Sequence, residues 1–278
     1  MLQGVNLEIG VETPGALLEE MRRAAPLVQC ITNYVAMNVA ANVMLAAGAS
    51  PAMVHAREEA GEFAAFAGAL TVNIGTLSPA WVEGMEAAAG AAARAGKPWV
   101  LDPVAHFATS LRREAVTRLM SLGPAVVRGN ASEIMALSGA ESAGQGVDSR
   151  DPVEAAEGAV AIARKHGCVV AVTGAVDFVT DGRRAMRIEG GSPLMPKVTA
   201  LGCSLTCLVG AFAAIRPADP FAATVAALAM FAVAGERAGR EAAGPGSFGW
   251  RFLDTLSALE PRALEASANM SQVELGAA

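Results

Sequence analysis

The segment Thr199-Ala-Leu-Gly-Cys-Ser-Leu-Thr-Cys207 is a short turn of small and polar residues that runs directly into an apolar stretch. A turn ending in Gly202 lets backbone N–H groups converge where a helix begins. Those groups lack intrahelical partners and the helix dipole is positive there, so the turn is a candidate anion site. Cys203 stands at its lip, where the same field favours a thiolate. An anion cradle beside a nucleophile or base fits phosphoryl transfer.

Other residues could complete such a site. Asp102 follows the apolar run Trp99–Leu101 and precedes Pro103, which puts it at the carboxyl end of a strand. Open α/β sheets bind their ligands at that edge, so Asp102 is a candidate to hold Mg2+; as an Asp-Pro pair it also reads as a plain turn. In Arg128-Gly-Asn-Ala-Ser-Glu133, Arg128 could reach a phosphate and Glu133 could help hold a divalent cation. The same residues read as a capped helix start, with Asn130 as cap and Glu133 three positions on. Thr173-Gly174 either lets a nucleotide approach the backbone or simply enters a hairpin. Asn33 and Asn38 flank the first strand–helix junction, where Asn33 could cap the helix or contact substrate. His55 and His106 follow strand ends and could line a cleft, whereas His166 reads as a helix C-terminal residue facing the dipole. The sequence has no GxSxG or GxxxxGK[ST], and no GxGxxG follows a strand-like run, so any ATP is held by neither a P-loop nor a dinucleotide fingerprint.

These residues need a frame. Pro26–Ile31, Pro51–Val54, Leu70–Ile74, Trp99–Leu101, Ala125–Arg128 and Cys168–Thr173 are short apolar runs suited to buried strands. Ala-rich helical segments alternate with them at Val35–Ala47, Pro79–Ala95, Leu111–Leu122 and Pro152–His166. Thr13-Pro14 and Ser78-Pro79 mark helix starts, and Gly48, Gly96 and Gly167 mark helix ends. Repeated β-then-α order predicts a mostly parallel sheet with helices on both faces. Ala175–Thr180 and Arg184–Glu189, joined through Asp181-Gly182, predict a β-hairpin. Segments 203–215, 220–236 and 249–259 predict a helical C-terminal third, and the polar tail after Ser267 reads as loose. No repeat or composition shift divides the 278 residues, so one domain over 1–278 is expected; Gly139–Asp151 reads as a loop.

Composition narrows the classes of function. Charged residues are only 17% and hydrophobic residues 53%, a balance that suits a surface partly buried in an oligomer. A net charge of −6 and 5% aromatics argue against a nucleic-acid platform. Residues 24 to 54 carry no charge, but Gln29, Asn33, Asn38, Asn42, Gly48 and Pro51 break the stretch. The apolar runs 201–215 and 221–235 fall short of the ~20 residues that span a bilayer. With no secretory signal visible, a cytoplasmic protein without membrane partners is expected. The four cysteines show no zinc-ligand spacing, and Cys30 and Cys168 read as buried core.

Cys30-Ile-Thr-Asn-Tyr-Val35, Gly48-Ala-Ser-Pro-Ala-Met53, Asn73-Ile-Gly-Thr76, Leu101-Asp-Pro-Val104, Arg128-Gly-Asn-Ala-Ser-Glu-Ile134, Val172-Thr-Gly174 and the Gly202-Cys203 turn, in that order, resemble hydroxyethylthiazole kinase. The resemblance implies a three-layer ribokinase-like fold. It also implies phosphorylation of the alcohol of 4-methyl-5-(2-hydroxyethyl)thiazole by ATP with Mg2+, a salvage step toward thiamine, in a homotrimer with interfacial sites. By the same resemblance Met53, Ala200 and Asn33 would contact the thiazole alcohol and Arg128, Thr173 and Gly202 the ATP. Asp102 and Glu133 would organise magnesium, and Cys203 would orient or deprotonate the attacking hydroxyl. Two departures stand out. The Ala200 position is often glycine in that family, and Val104-Ala-His-Phe107 is bulkier than its usual counterpart. Two alternatives stay open: a hydroxymethylpyrimidine-type kinase of the same superfamily, and a catalytically silent thiazole- or nucleotide-binding protein.

Overall fold

The computed structural model describes residues 13–139 and 155–275. Along the chain run α1 (Pro14–Ala24), β1 (Leu27–Ile31), α2 (Met37–Ala47), β2 (Ser50–Ala52), α3 (Arg57–Phe66), β3 (Ala69–Asn73), α4 (Pro79–Arg94) and β4 (Trp99–Asp102). There follow α5 (Ser110–Met120), β5 (Val126–Asn130), α6 (Ala131–Ser138), α7 (Ala156–His166), β6 (Val169–Thr173), β7 (Val176–Thr180) and β8 (Ala185–Glu189). The chain closes with α8 (Leu201–Ile215), α9 (Pro220–Glu241), α10 (Pro245–Ala258), α11 (Pro261–Ser267) and β9 (Asn269–Gln272). The strands form one sheet in the order β2-β1-β3-β4-β5-β6-β7-β8-β9. It is parallel from β2 to β6 and antiparallel from β6 to β9.

Strand periodicity decides what reaches each face. Val28 and Cys30, Val100, Val126, and Val169 and Ala171 pack with α1, α2 and α8 to α11. Their neighbours Ile31, Leu101, Val127, Val170 and Val172 pack with α3 to α7 on the other side. Because successive side chains alternate, Asn73, Asp102, Arg128 and Thr173 all fall on the α8 face. Helix α8 meets them along one stripe: Thr206, Cys207 and Gly210 recur at i, i+1 and i+4, and Gly210 lets Thr71 approach where a Cβ would clash at 2.4 Å.

Most predicted elements are present, with four differences. The tail after Ser267 is not loose: β9 pairs with β8, and Met270 packs against the core. Its alternation is too polar to read as a strand, because only one of its faces is covered. Helices α1, α3 and α11 were marked in the sequence only by caps or not at all. The predicted loop lies outside the described residues beyond Gly139, as do the first residues of the helix expected from Pro152. Finally, α9 is longer than its apolar run, long and apolar enough by length and composition to cross a bilayer, yet 89% of its apolar window is buried within this fold.

Candidate active site

The sheet reverses direction of winding between β1 and β3, since β2 lies to one side of β1 and β3 to the other. A crevice opens at the carboxyl ends of strands at such a point. There a chain of hydrogen bonds and one ion pair joins the ends of five strands, β1, β3, β4, β5 and β6. Asn33, just past β1, donates through Nδ2 to Cys203 Sγ (3.3 Å) and to Asn73 Oδ1 (2.9 Å). Asn73 donates through Nδ2 to Asp102 Oδ2 (2.7 Å), which also accepts from the Thr206 hydroxyl (2.8 Å). Arg128 Nη1 lies 3.5 Å from the same oxygen, and Arg128 Nη2 donates to Thr173 Oγ1 (2.5 Å). Cys203, Asn33, Asp102, Arg128 and Thr173, chosen from sequence, thus form one connected group.

The mouth of α8 faces this chain. Its first intrahelical bond runs from Ser204 N–H to the Ala200 carbonyl (2.9 Å), which leaves Leu201, Gly202 and Cys203 N–H free of helix partners. A Cβ on Gly202 would stand 3.1 Å from both terminal nitrogens of Arg128, so the missing side chain is what allows the guanidinium to lie against the turn. Arg128 Nε–H is buried without an acceptor among the described residues. Positive charge and free amides therefore converge on one spot. Ala200 holds a left-handed backbone at φ +66°, a region that favours glycine.

Asp102 is 1% exposed, and burial lifts its pKa to about 6, with Arg128 opposing and Glu133 reinforcing the shift. All its contacts fall on Oδ2; Oδ1 has no hydrogen bond among the described residues. Such a carboxylate suits a cation, which would keep it ionised. Glu133 is also buried, but both its oxygens are engaged: Oε1 accepts from Ala105 N–H (2.9 Å) and Oε2 from Asn130 N–H (2.8 Å). Asn130 returns a bond to Glu133 N–H (2.9 Å), completing the capping box foreseen in the sequence. Glu133 fits a water-mediated or purely electrostatic role better than direct ligation.

The field at Cys203 departs from expectation. Burial raises the thiol's pKa, the Asp102 charge raises it further, and Asn33 and Arg128 only partly oppose them. Burial, reinforced by the Asp102 carboxylate, outweighs the helix mouth, so the group is a thiol at neutral pH. Of the remaining candidates, Met53 follows β2 at the same carboxyl edge and is partly buried against the core cluster. Asn33 accepts from Ala36 N–H (3.0 Å) at the approach to α2 while also reaching Cys203. Asn38 makes only a local pair with Asn42. His55 stacks on Trp81 (4.6 Å) beside a cavity of about 250 Å3, away from the chain of bonds. His106 turns inward against Phe107 (5.7 Å), and burial lowers its pKa. His166 ends α7 as expected, but burial and Lys165 lower its pKa against the helix dipole. All four cysteines are free.

Sequence reasoning missed three residues. Asn73 ends a strand in register with Asp102; a polar residue closing an apolar run was its signal. Thr206 lies one turn after Cys203. Asp177 accepts from Gly174 N–H (2.9 Å) and shapes the turn after Thr173.

Comparison with known proteins decides the family. Residues 18–262 match the model described as the hydroxyethylthiazole kinase family. The chain belongs to the hydroxyethylthiazole kinase family. A hydroxyethylthiazole kinase of Rhizobium rhizogenes is 72% identical over 259 residues, covering 93% of this chain and 97% of that one. The solved structure of the hydroxyethylthiazole kinase protein from Pyrococcus horikoshii OT3 superposes with a TM-score of 0.87 at 41% identity, over 94% and 99% of the two chains. A ribokinase-like superfamily protein from Enterococcus faecalis V583, 12% identical with a TM-score of 0.62 over 91% and 98%, shares the fold. The fold expected from the resemblance, three-layer and ribokinase-like, is the one found. As a member of the hydroxyethylthiazole kinase family, the chain keeps all seven segments that carried the resemblance within the matched range.

Proposed function

We propose that this chain transfers the γ-phosphoryl group of ATP to the hydroxyl of 4-methyl-5-(2-hydroxyethyl)thiazole, as a single kinase domain acting in thiamine salvage. The observation that carries the proposal is the unbroken chain from Cys203 through Asn33, Asn73 and Asp102 to Arg128 and Thr173, closed against the free amides of α8. It spans the two ends of a transfer reaction. Arg128 and Thr173 lie where a nucleotide's phosphates would enter, and Cys203 and Asn33 lie where an alcohol would approach.

In this reading the amides of Leu201, Gly202 and Cys203, with Arg128, stabilise the charge that spreads over the transferring group. Cys203, a thiol at rest, orients the alcohol by hydrogen bonding; as the alcohol oxygen bonds to the γ-phosphorus and the bond to ADP breaks, the alcohol's proton passes to an oxygen of the transferred group. Phosphoryl transfer relies chiefly on alignment and charge neutralisation, so no strong base is needed. Met53 and Ala200 flank the thiazole ring. Mg2+, when bound, neutralises phosphate charge; Asp102 Oδ1 would hold it directly, with Glu133 acting through its charge or a bridging water. The low charged fraction supports a homotrimer whose sites lie between subunits, and the enzyme is placed in the cytoplasm as part of this proposal.

The test is direct. The protein is incubated with Mg-ATP and the thiazole alcohol, and separately with hydroxymethylpyrimidine, and products are read by mass. A thiazole phosphate formed faster than the pyrimidine phosphate supports the proposal. Ligand-induced stabilisation with no phosphate ester from either alcohol refutes it.

A further inference from the structure

Arg112 lies on α5, outside every segment that carries the resemblance. Its guanidinium bonds only to backbone carbonyls: Nη1 donates to Ile74 (3.0 Å) and Val104 (2.8 Å), and Nη2 donates to Gly75 (2.6 Å). Carbonyls in loops beyond strand ends have no ladder partners, and a planar fork can satisfy several at once where an ammonium cannot. Arg112 therefore staples together the loops that leave β3 and β4.

Each stapled residue stands one step from a site group. Gly75 N–H donates to Asn73 Oδ1 (2.9 Å), and Gly75 lies so close to Asn33 that a Cβ there would come within 2.8 Å of the Asn33 Cβ. Val104 precedes Ala105, whose left-handed backbone (φ +46°) aims its N–H at Glu133 Oε1 (2.9 Å). Displacement of these loops would shift Asn33 against Cys203 and Glu133 against Asp102. None of Arg112's own hydrogen bonds reaches Cys203, Arg128 or Thr173.

We propose that Arg112 is a positioning residue for phosphoryl transfer, holding the β3 and β4 loops at the spacing that aligns Asn33, Asn73 and Glu133. The proposal rests on the kinase reading above. Loosening a site by a fraction of an ångström costs turnover more than affinity, because alignment is what the enzyme supplies.

The test compares wild type with Arg112→Ala, Arg112→Gln and Arg112→Lys, read by steady-state kinetics, thermal melting and amide hydrogen exchange. For Arg112→Ala, kcat falls about 100-fold while KM for each substrate moves less than about threefold, and Arg112→Lys recovers only part of the loss. Guanidinium ion at tens of millimolar restores roughly fivefold or more of the alanine variant's turnover and gives wild type no gain. The Gly75 and Ala105 amides exchange about tenfold faster, while Val72 and Val100 do not. Arg113→Ala, which removes a bond only to the Phe107 carbonyl, leaves kcat unchanged. Wild-type kcat with unchanged exchange at Gly75 and Ala105 overturns the proposal. A general loss of protection and melting temperature without guanidinium rescue also overturns it, since that marks a purely structural arginine. Should the alanine variant fail to fold, the Gln and Lys variants decide by the same criteria. A wild-type protein that makes no thiazole phosphate would sink the kinase reading, while the exchange data would still decide whether Arg112 holds the two loops.

Discussion

Asp102→Asn should stabilise the ligand-free protein while destroying its activity. Burial holds the Asp102 pKa at about 6 against an ordinary value of 3.8. The folded state thus binds this proton more tightly than the unfolded chain does, and raising the pH from about 4 through 6 costs stability. Above pH 6 the full penalty applies, on the order of 3 kcal/mol at 1.36 kcal/mol per pKa unit. Asparagine is nearly isosteric, and its amide oxygen can still accept from Asn73 Nδ2 and Thr206 Oγ1. Its Nδ2 takes the place of Oδ1, which has no hydrogen bond to lose. Relative to wild type, the variant should melt about 2–6 °C higher at pH 8 and by about a third as much at pH 4.5. Taking the difference at each pH removes the contribution of Asp177, which burial also lifts to about 6. Turnover should fall at least about 100-fold, because the site loses the Asp102 oxygen proposed to meet a cation. Melting curves across pH 4.5–8 with Mg-ATP kinetics provide the assay. A variant more destabilised at pH 8 than at pH 4.5 would refute the reasoning, since the ionised carboxylate would then be a net support of the fold.

Other outcomes follow from the same geometry. Ala200→Gly relieves the left-handed backbone at φ +66° and should stabilise by about 1 kcal/mol, read by urea unfolding; a loss of stability would show that the Cβ packs usefully. Cys203→Ala should lower kcat only about tenfold and leave its pH profile without a thiol ionisation, because burial and Asp102 keep the group protonated; abolished turnover would make the thiol a true base. Gly202→Ala puts a methyl 3.1 Å from both terminal nitrogens of Arg128, and should raise KM for ATP roughly tenfold with little change in melting temperature, measured by initial rates over an ATP series.

What the sequence disclosed depended on how far each signal reached along the chain. Parallel strands buried on both faces leave continuous apolar runs, so β1, β3, β4, β5 and β6 were legible, and so was the residue at each carboxyl end. Asp102 and Arg128 stood out because a charge closes an apolar run. Asn73 carried the same signal more weakly, since a neutral amide at a strand end is ordinary. Thr206 and Arg112 were silent for a different reason: their partners are a carboxylate 104 residues away and three backbone carbonyls, neither of which leaves a local pattern. The helix mouth beside Cys203 is visible in sequence, whereas the burial and the Asp102 carboxylate from another strand that raise the thiol's pKa are not. The strand β9 failed as a prediction because an edge strand covered on one face needs few apolar residues.

The choice of cysteine at the lip of α8 follows from what surrounds it. Asp102 is already forced toward neutrality by burial, and Glu133 adds to the strain on its charge. A carboxylate at position 203 would bring a third negative group to a pocket that Arg128 alone offsets, and like charges at such range push one another's pKa upward. A thiol adds no charge in the resting state, accepts the Asn33 amide, and leaves Arg128 to serve Asp102 and the incoming phosphates. The cost is a poorer base. Under the proposed function the catalytic effort would fall to fixed donors: the three amides at the mouth of α8 without helix partners, the Arg128 guanidinium lying against Gly202, and the Asn33–Asn73 pair, which would tie the alcohol side of the crevice to the phosphate side. Alignment of that kind is only as good as the loops that hold it, so under the proposed roles a loosened turn beyond β3 or β4 is expected to cost turnover as losing the Cys203 thiol does.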